Sequence, residues 1–418
     1  MELIQDSYSD KDGSSSYESF IIESETQEIL PIEEKLESKK DEGVYSFLDM
    51  NKNTRFTSQS LGSILGAFIG DAAGAHVEFF SKVNDSQLED AMNLVGGGPH
   101  RIASGQITDD SELALCIFHA LLKSQGLLNL DEIAKMNIKW ISTRPFDIGF
   151  TTKTAFTPLI FNAKGIFEQV KSNNQSSQSN GCIMRVTPFA VWASQLSNQD
   201  LYKAVYLQTY MTHCHQLAID STYLYCLAIK LILNGLKDRK IIFDTVKEEA
   251  FFRNQFILCE WLEEAQQFNL PQTTINDGWL KIAFIYSFHY LISGSDYKQS
   301  LRSIIQKGGD TDTNAAIVGG LIGAFNQIQD IDPTMVRKVM NLRFNSEMIY
   351  QSDYDERKFG IKRPDFLVPG LSLTSTNLYE FFRFIPKELK VIFQGKLYEG
   401  NQVDDLIKQY PLFNQSND

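Results

Sequence analysis

The sequence predicts an all-α protein, on three observations. Apolar residues recur at helical spacing along most of the chain, at about 113–122, 131–143, 199–235, 243–267, 277–292, 298–306, 314–329 and 333–342. Runs that alternate as strands do are short and isolated, the best being Lys390–Gln394. The joins are short and polar, and no fixed-period repeat organises the helices into a solenoid.

Composition bounds the rest. A length of 418 residues, 43% of them apolar, suffices for one large domain or two ordinary ones. The net charge of −13 argues against nucleic acid or anionic membrane as a partner. Residues 1–50 hold 14 Asp or Glu and 4 Lys, a net of −10, which leaves −13 − (−10) = −3 for everything else. Residues 1–55, acidic and Ser-rich, are therefore expected to form a disordered tail. Five cysteines without a C-x-x-C pair, all among apolar or aromatic neighbours, suggest buried, reduced thiols. The N-terminus lacks the basic and apolar regions of a signal peptide, and no uncharged apolar run reaches membrane-span length. A cytoplasmic location is the expectation, with nuclear entry left open.

Taken in order, the body starts near Ser58. Leu61 to Phe80 reads as a helix with glycines at 62, 66, 70 and 74, all on one ridge. Interior glycine costs about 1 kcal/mol relative to alanine, so four imply that a helix backbone or a ligand comes very close. On this helix Asp71 and Glu78 would share a face across Gly74. The loop Gly96-Gly97-Gly98-Pro99 follows. Thr108-Asp109-Asp110 then opens an apolar helix, with Asp109 and Glu112 at capping-box spacing. Residues 171–180 form a low-complexity polar loop, floppy in its first half, Lys171–Gln175. It runs into Gly181-Cys182-Ile183-Met184-Arg185 and a short apolar helix through Trp192.

Gly308-Gly309-Asp310-Thr311-Asp312-Thr313-Asn314 forms the second acidic mouth, ahead of a helix apolar enough to be buried. Ordinary helix capping is one reading of its Asp and Thr residues. An EF-hand is excluded, because the sixth position is Ala315 in place of Gly and the twelfth is Leu321 in place of Glu. Carboxylates and hydroxyls suit Mg²⁺, Mn²⁺ or Ca²⁺. If the two mouths face each other, four carboxylates meet. Two like charges 4 Å apart repel by about 4 kcal/mol at an effective dielectric near 20. Two helix dipoles supply about half a positive charge each, too little to balance four carboxylates. A facing arrangement calls for two divalent cations. Elsewhere, His213-Cys214-His215 lacks zinc-ligand spacing, and no G-x-S-x-G elbow is present.

Six segments in order carry a resemblance. They are Gly66-to-Glu78, Gly105-to-Leu115 with its T-D-D-S, Asp147-Ile-Gly-Phe-Thr-Thr152, Ser179-Asn-Gly-Cys-Ile-Met-Arg185, Thr212-His213 and Gly308-to-Ala316. Over residues 58–330 the chain resembles the ADP-ribosylglycohydrolases. The resemblance implies a compact orthogonal helical bundle, with 56–345 as the catalytic domain and 346–418 as a C-terminal extension of unassigned role. It implies two divalent cations, Mg²⁺ or Mn²⁺, held by Thr108, Asp109 and Asp110 from one side and by Asp310, Asp312 and Thr313 from the other. Thr311 is then a spacer. Glu78 would position or deprotonate the attacking water, with Asp109, Asp110 and Asp312 also at the chemistry. Glu78 is shared by members acting on serine and on arginine linkages, so it does not select between them.

Substrate contacts fall, by the same resemblance, to Ser177, Ser179, Asn180 and Gly181 around the pyrophosphate and distal ribose, to His213, and to Gly149. Arg185 is either a phosphate clamp or half of an ion pair that holds the loop. His215 is expected to be a packing residue, with His76, His119 and His289 in the core or at its edge. The function implied is hydrolysis of the bond between ADP-ribose and a protein side chain or related conjugate, by a monomer. Two other classes compete: a catalytically silent binding or structural relative, and a metal-dependent phosphoesterase. Free ADP-ribose as product supports glycohydrolysis, and AMP supports the phosphoesterase.

Overall fold

A computed structural model describes residues 54–344 and 360–413. Among them are eighteen α-helices and one three-stranded sheet, so the all-α expectation holds. The helices are α1 (Arg55–Gly74), α2 (Asp85–Met92), α3 (Asp109–Ser124), α4 (Leu130–Ser142), α5 (Phe150–Phe156) and α6 (Ala163–Asn173). Then come α7 (Thr187–Trp192), α8 (Asn198–Thr209), α9 (Gln216–Leu233), α10 (Arg239–Phe252), α11 (Phe256–Gln266) and α12 (Leu280–Ser293). The last six are α13 (Tyr297–Gln306), α14 (Thr311–Asn326), α15 (Pro333–Asn341), α16 (Pro369–Ser372), α17 (Ser375–Arg383) and α18 (Asn401–Lys408). The expected tail, up to residue 53, lies outside the described residues, as do 345–359 and 414–418.

The centre of the fold is the α1–α14 pair. The four glycines of α1 face the backbone of α14, in antiparallel register. A methyl at Gly62, Gly66, Gly70 or Gly74 would strike the carbonyl oxygen of Gly323, Gly319, Ala315 or Thr311 respectively. The close approach implied by the glycine ridge is therefore a helix backbone. It brings the C-terminal end of α1 onto the N-terminal mouth of α14, and so Asp71 beside Asp312. Thr311 Oγ1 donates to Gly74 O at 2.7 Å, in keeping with its expected spacer role.

Three expectations are corrected. The first helix ends at Gly74, not Phe80, so Glu78 lies on a turn rather than on the face of Asp71. Phe79 takes φ 61° and donates its N–H to Gly309 O at 2.8 Å, while Gly309 N donates to Phe80 O at 2.9 Å. Those long-range bonds replace the next helical turn. Second, Lys171–Asn173 is helical and Asn174 is buried, its amide donating to Thr151 O and Thr212 O at 3.0 and 2.8 Å. The polar segment is tied down where a floppy linker was expected. Third, Asp109 and Glu112 form no capping box; the N-cap of α3 is Thr108, without a side-chain cap bond.

The strand expected at 390–394 is β2 (Lys390–Phe393), between β1 (Leu128–Asn129) and β3 (Lys396–Glu399). It pairs parallel to β1 at Leu128↔Val391 and antiparallel to β3 at Lys390↔Glu399. The described C-terminal residues share the body's core, Leu367, Phe381, Val391 and Leu406 lying in the same apolar cluster as Leu61 and Ile317. Helix α9 has the length and hydropathy of a membrane span, but 78% of it is buried inside the body, as befits a core helix. Cys116, Cys182, Cys214 and Cys226 are buried and free, and Cys259 is free and half-buried.

Candidate active site

The two acidic mouths do face each other. Thr313 Oγ1, on the first turn of α14, lies 3.5 Å from Asp110 Oδ2 on α3. Carboxylate oxygens of Asp71, Asp110 and Asp312 lie within 4.8 Å of one another, and so do those of Glu78, Asp310 and Asp312. A third group at the same spacing joins Glu78, His100 and Asp147. Neither N-cap residue, Thr108 or Asp310, makes a side-chain cap bond, so helix capping does not account for these residues.

Asp71 sets the position of the α3 mouth. It accepts from Thr108 N at 3.0 Å and Ser111 N at 3.1 Å, and from the hydroxyls of Thr108 and Ser111 at 2.9 and 2.5 Å. These are the free N–H groups of a helix start, satisfied from a neighbouring helix. Asp310 accepts from Asn180 Nδ2 at 2.6 Å, which ties the α14 mouth to the polar loop. Glu78 Oε2 lies 2.8 Å from His100 Nε2, and Asp147 Oδ2 lies 3.7 Å from the same nitrogen.

With protein charges alone, ionising the whole cluster is disfavoured. Burial pushes Asp71 and Glu78 up to about 7 each, from ordinary values of 3.8 and 4.5. Burial and the neighbouring carboxylates hold Asp109, Asp110 and Asp312 well above the usual range. Burial also raises Asp310 and Asp147. The bond to Glu78 raises His100, so that this imidazole is a basic partner for a cluster of seven carboxyls. Asp110 Oδ1 is buried without a hydrogen-bond partner. Hard oxygen donors, an excess of buried negative charge and an orphaned carboxylate oxygen are what divalent cations fit.

The predicted ligands divide. Asp110, Asp310 and Asp312 sit in the carboxylate groups, joined by Asp71 and Glu78. The hydroxyls of Thr108 and Thr313 reach Asp110 Oδ2 at 3.3 and 3.5 Å. Asp109 lies outside those three groups and turns toward Asp147. Sequence reasoning passed over Asp71 and Asp147 as site residues, although both stood in the quoted motifs. His100 carried no signal, since nothing in a Gly-Pro loop says which side chain points inward.

The polar loop borders a cleft of about 550 Å³ lined by Ser177, Gln178, Ser179, Asn276, Asp277, Gly278 and Trp279. Asn180 N donates to Gly278 O at 3.0 Å, closing the two loops on each other beside Asp310. Ser177 Oγ lies 2.8 Å from Thr151 Oγ1, and Ser179 Oγ lies 2.8 Å from His213 Nε2. Gly181 packs near His213 and Thr152. Burial and the Arg185 charge push His213 down to about 3, so it is a neutral hydrogen-bonding ring. Arg185 is buried and donates to Gly181 O at 2.9 Å and Thr212 Oγ1 at 2.6 Å. It holds the loop through neutral acceptors. Gly149 is the exposed N-cap of α5, with nothing within 4 Å of where a side chain would be. His215 accepts from Leu217 N at 3.2 Å at the start of α9, a structural role.

A family model described as ADP-ribosylglycohydrolase matches residues 52–356. The chain is 27% identical over 297 residues to the ADP-ribosyl-dinitrogen reductase glycohydrolase of Rhodospirillum rubrum, covering 71% of this chain and 94% of that protein. It is 26% identical over 285 residues to the ADP-ribosylarginine hydrolase Tri1 of Pseudomonas putida, covering 66% of this chain and 73% of the other. A solved chain described as an ADP-ribosylglycohydrolase-related protein complex has the same fold, at TM-score 0.55 and 20% identity, over 78% of this chain and 99% of that one. The family match covers well over half of the chain and every acidic segment of the cluster: the protein belongs to the ADP-ribosylglycohydrolase family.

Proposed function

We infer that the protein hydrolyses the glycosidic bond between ADP-ribose and an amino-acid side chain, with the help of two divalent cations, Mg²⁺ or Mn²⁺. The observation that carries this reading is the buried carboxylate cluster with Asp110 Oδ1 left unpartnered. Relatives named for ADP-ribosyl-dinitrogen reductase and ADP-ribosylarginine support the substrate class. The residues that would hold the cations are Asp110, Asp310 and Asp312, with Thr108, Thr313 and Asp109 at the same mouths. Bound cations supply Lewis-acid chemistry, orienting the ribose hydroxyls and lowering the pKa of a water.

The chain's own groups do the rest. Glu78, buried and joined to both the cluster and His100, would orient the attacking water and take its proton. The surrounding carboxylates stabilise positive charge developing on the ribose, as in other glycosidic cleavages. The hydroxyls of Ser177 and Ser179 would face the pyrophosphate and distal ribose, the N–H groups of Ser177 and Asn180 being already bonded to Asn174 O and Gly278 O. His213, fully buried, neutral and bonded to Thr212, holds the Ser179 hydroxyl from behind the cleft and does not itself line it.

The test is product analysis on peptides ADP-ribosylated at arginine and at serine, with Mg²⁺ and with Mn²⁺. Release of free ADP-ribose from one class supports the reading and selects the linkage. Tight ADP-ribose binding without turnover on any substrate marks a silent binder, and AMP as product marks a phosphoesterase.

A further inference from the structure

We propose that Arg363 is a positioning residue for the Thr108–Asp110 mouth, acting through Glu112, and that residues 360–413 brace the site. The proposal deepens the cation-assisted reading above. Arg363 lies beyond the family-matching stretch, which ends at residue 356.

Glu112 stands on the first turn of α3, three residues after Asp109. Both members of the pair are buried, Arg363 being 4% and Glu112 1% exposed. Arg363 Nε donates to Glu112 Oε1 at 2.6 Å and Nη2 to Oε2 at 2.8 Å, a two-pronged bond. Trp140 Nε1 donates to Oε2 at 2.7 Å. The remaining guanidinium bonds go to Thr143, its hydroxyl at 2.7 Å and its carbonyl at 3.4 Å. The fork therefore fixes both the rotation and the axial position of the first turn of α3, which a point charge would not do.

The same segment grips the approach to the mouth. Ile361 N donates to Gln106 Oε1 at 3.0 Å, and Gln106 Nε2 returns a bond to Ile361 O at 2.7 Å. Gln106 stands two residues before Thr108. The far end of the segment pairs with the chain beside His213. Phe413 N donates to Cys214 O at 2.9 Å and Gln216 N donates to Phe413 O at 3.2 Å, on either side of His215 and next to His213. Charge adds a second reason. Without Arg363, Glu112 becomes a buried carboxyl with no cation beside it, within electrostatic reach of Asp147. A buried ion pair is weak evidence for stability as such, because desolvation offsets most of its attraction. Its geometry accounts for this pair better than its energy does.

The experiment uses the full chain and reads two quantities. One is Mn²⁺ affinity by calorimetry, and the other is hydrogen exchange at the amides of Thr108 and Ser111. Arg363→Met is expected to weaken Mn²⁺ binding by about ten- to a hundredfold and to speed that exchange. Arg363→Lys is expected to restore only part of the affinity. The double variant Glu112→Leu, Arg363→Met removes the unpaired charge and keeps the volume. It is expected to regain thermal stability while its Mn²⁺ affinity stays low, which a purely structural role would not produce. If Arg363→Met fails to fold, the double variant carries the test. A folded variant with wild-type affinity and exchange overturns the proposal. A wild-type chain that takes up neither Mn²⁺ nor Mg²⁺ sinks the cation-assisted reading instead, and the exchange at Thr108 and Ser111 then decides alone for or against Arg363.

Discussion

At the residue scale, Asp312 is where burial and neighbouring carboxylates press on the proposed cation site. Its carboxyl is 1% exposed and held well above the usual range by burial first, then by Glu78, Asp110 and Asp310. Asp312→Asn keeps the shape and removes one repelling charge. Turnover is expected to fall about a hundredfold or more, while the cation-free protein melts higher than wild type. Paired kinetic and thermal measurements check both signs. Glu78→Gln is expected to lower kcat with little change in Mn²⁺ affinity, if Glu78 handles water rather than cation. Kinetics and calorimetry on that variant separate the two roles. The acidic residues that meet in the cluster were legible in the sequence because hard-cation chemistry admits few side chains. His100 was not, because its place beside Glu78 depends on a loop whose path is set by tertiary contacts.

At the element scale, the α1–α14 pair decides where everything else sits. The glycine ridge was readable because only a very close neighbour justifies four glycines on one helix face. What the periodicity missed was the end of α1, since the bonds that stop it come from Gly309, far along the chain. The pattern over 199–235 likewise ran two helices together, because the break at Tyr210–His215 follows the loop contacts rather than the apolar rhythm. Gly70→Ala tests the close packing. At an exposed helix position that change gains about 1 kcal/mol from helix propensity. Here the added methyl meets Ala315 O, and overpacking costs about 1–3 kcal/mol. A lowered thermal midpoint is expected, and a raised one would mean that the helices have room to spare.

At the scale of the whole molecule, the buried carboxyls link folding to pH and to cations. Their folded values lie above the unfolded ones, Asp71 and Glu78 at about 7. The sign follows: each favours the fold while protonated, and that contribution is lost as pH rises through the folded value. From these groups, the cation-free protein is expected to lose stability between about pH 4 and pH 8, and saturating Mn²⁺ to reverse the loss at the upper end. Melting curves across that range, with and without Mn²⁺, check the direction. The bundle was legible because it follows from local pattern, whereas the pairing of the mouths came from the ordered family motifs, since charge count alone left open whether they face each other. The bracing by residues 360–413 was not, because a lone Arg363 reveals its partner only once Glu112 is buried beside it.

The measurement that bears most directly on the cation-assisted hydrolysis is ADP-ribose release from arginine- and serine-linked peptides after exhaustive chelation, then on adding back Mg²⁺ or Mn²⁺. Release is expected to vanish with chelation, to return with one or both ions, and to stay absent in Asp312→Asn. Undiminished release from the chelated protein, or from that variant, would contradict it.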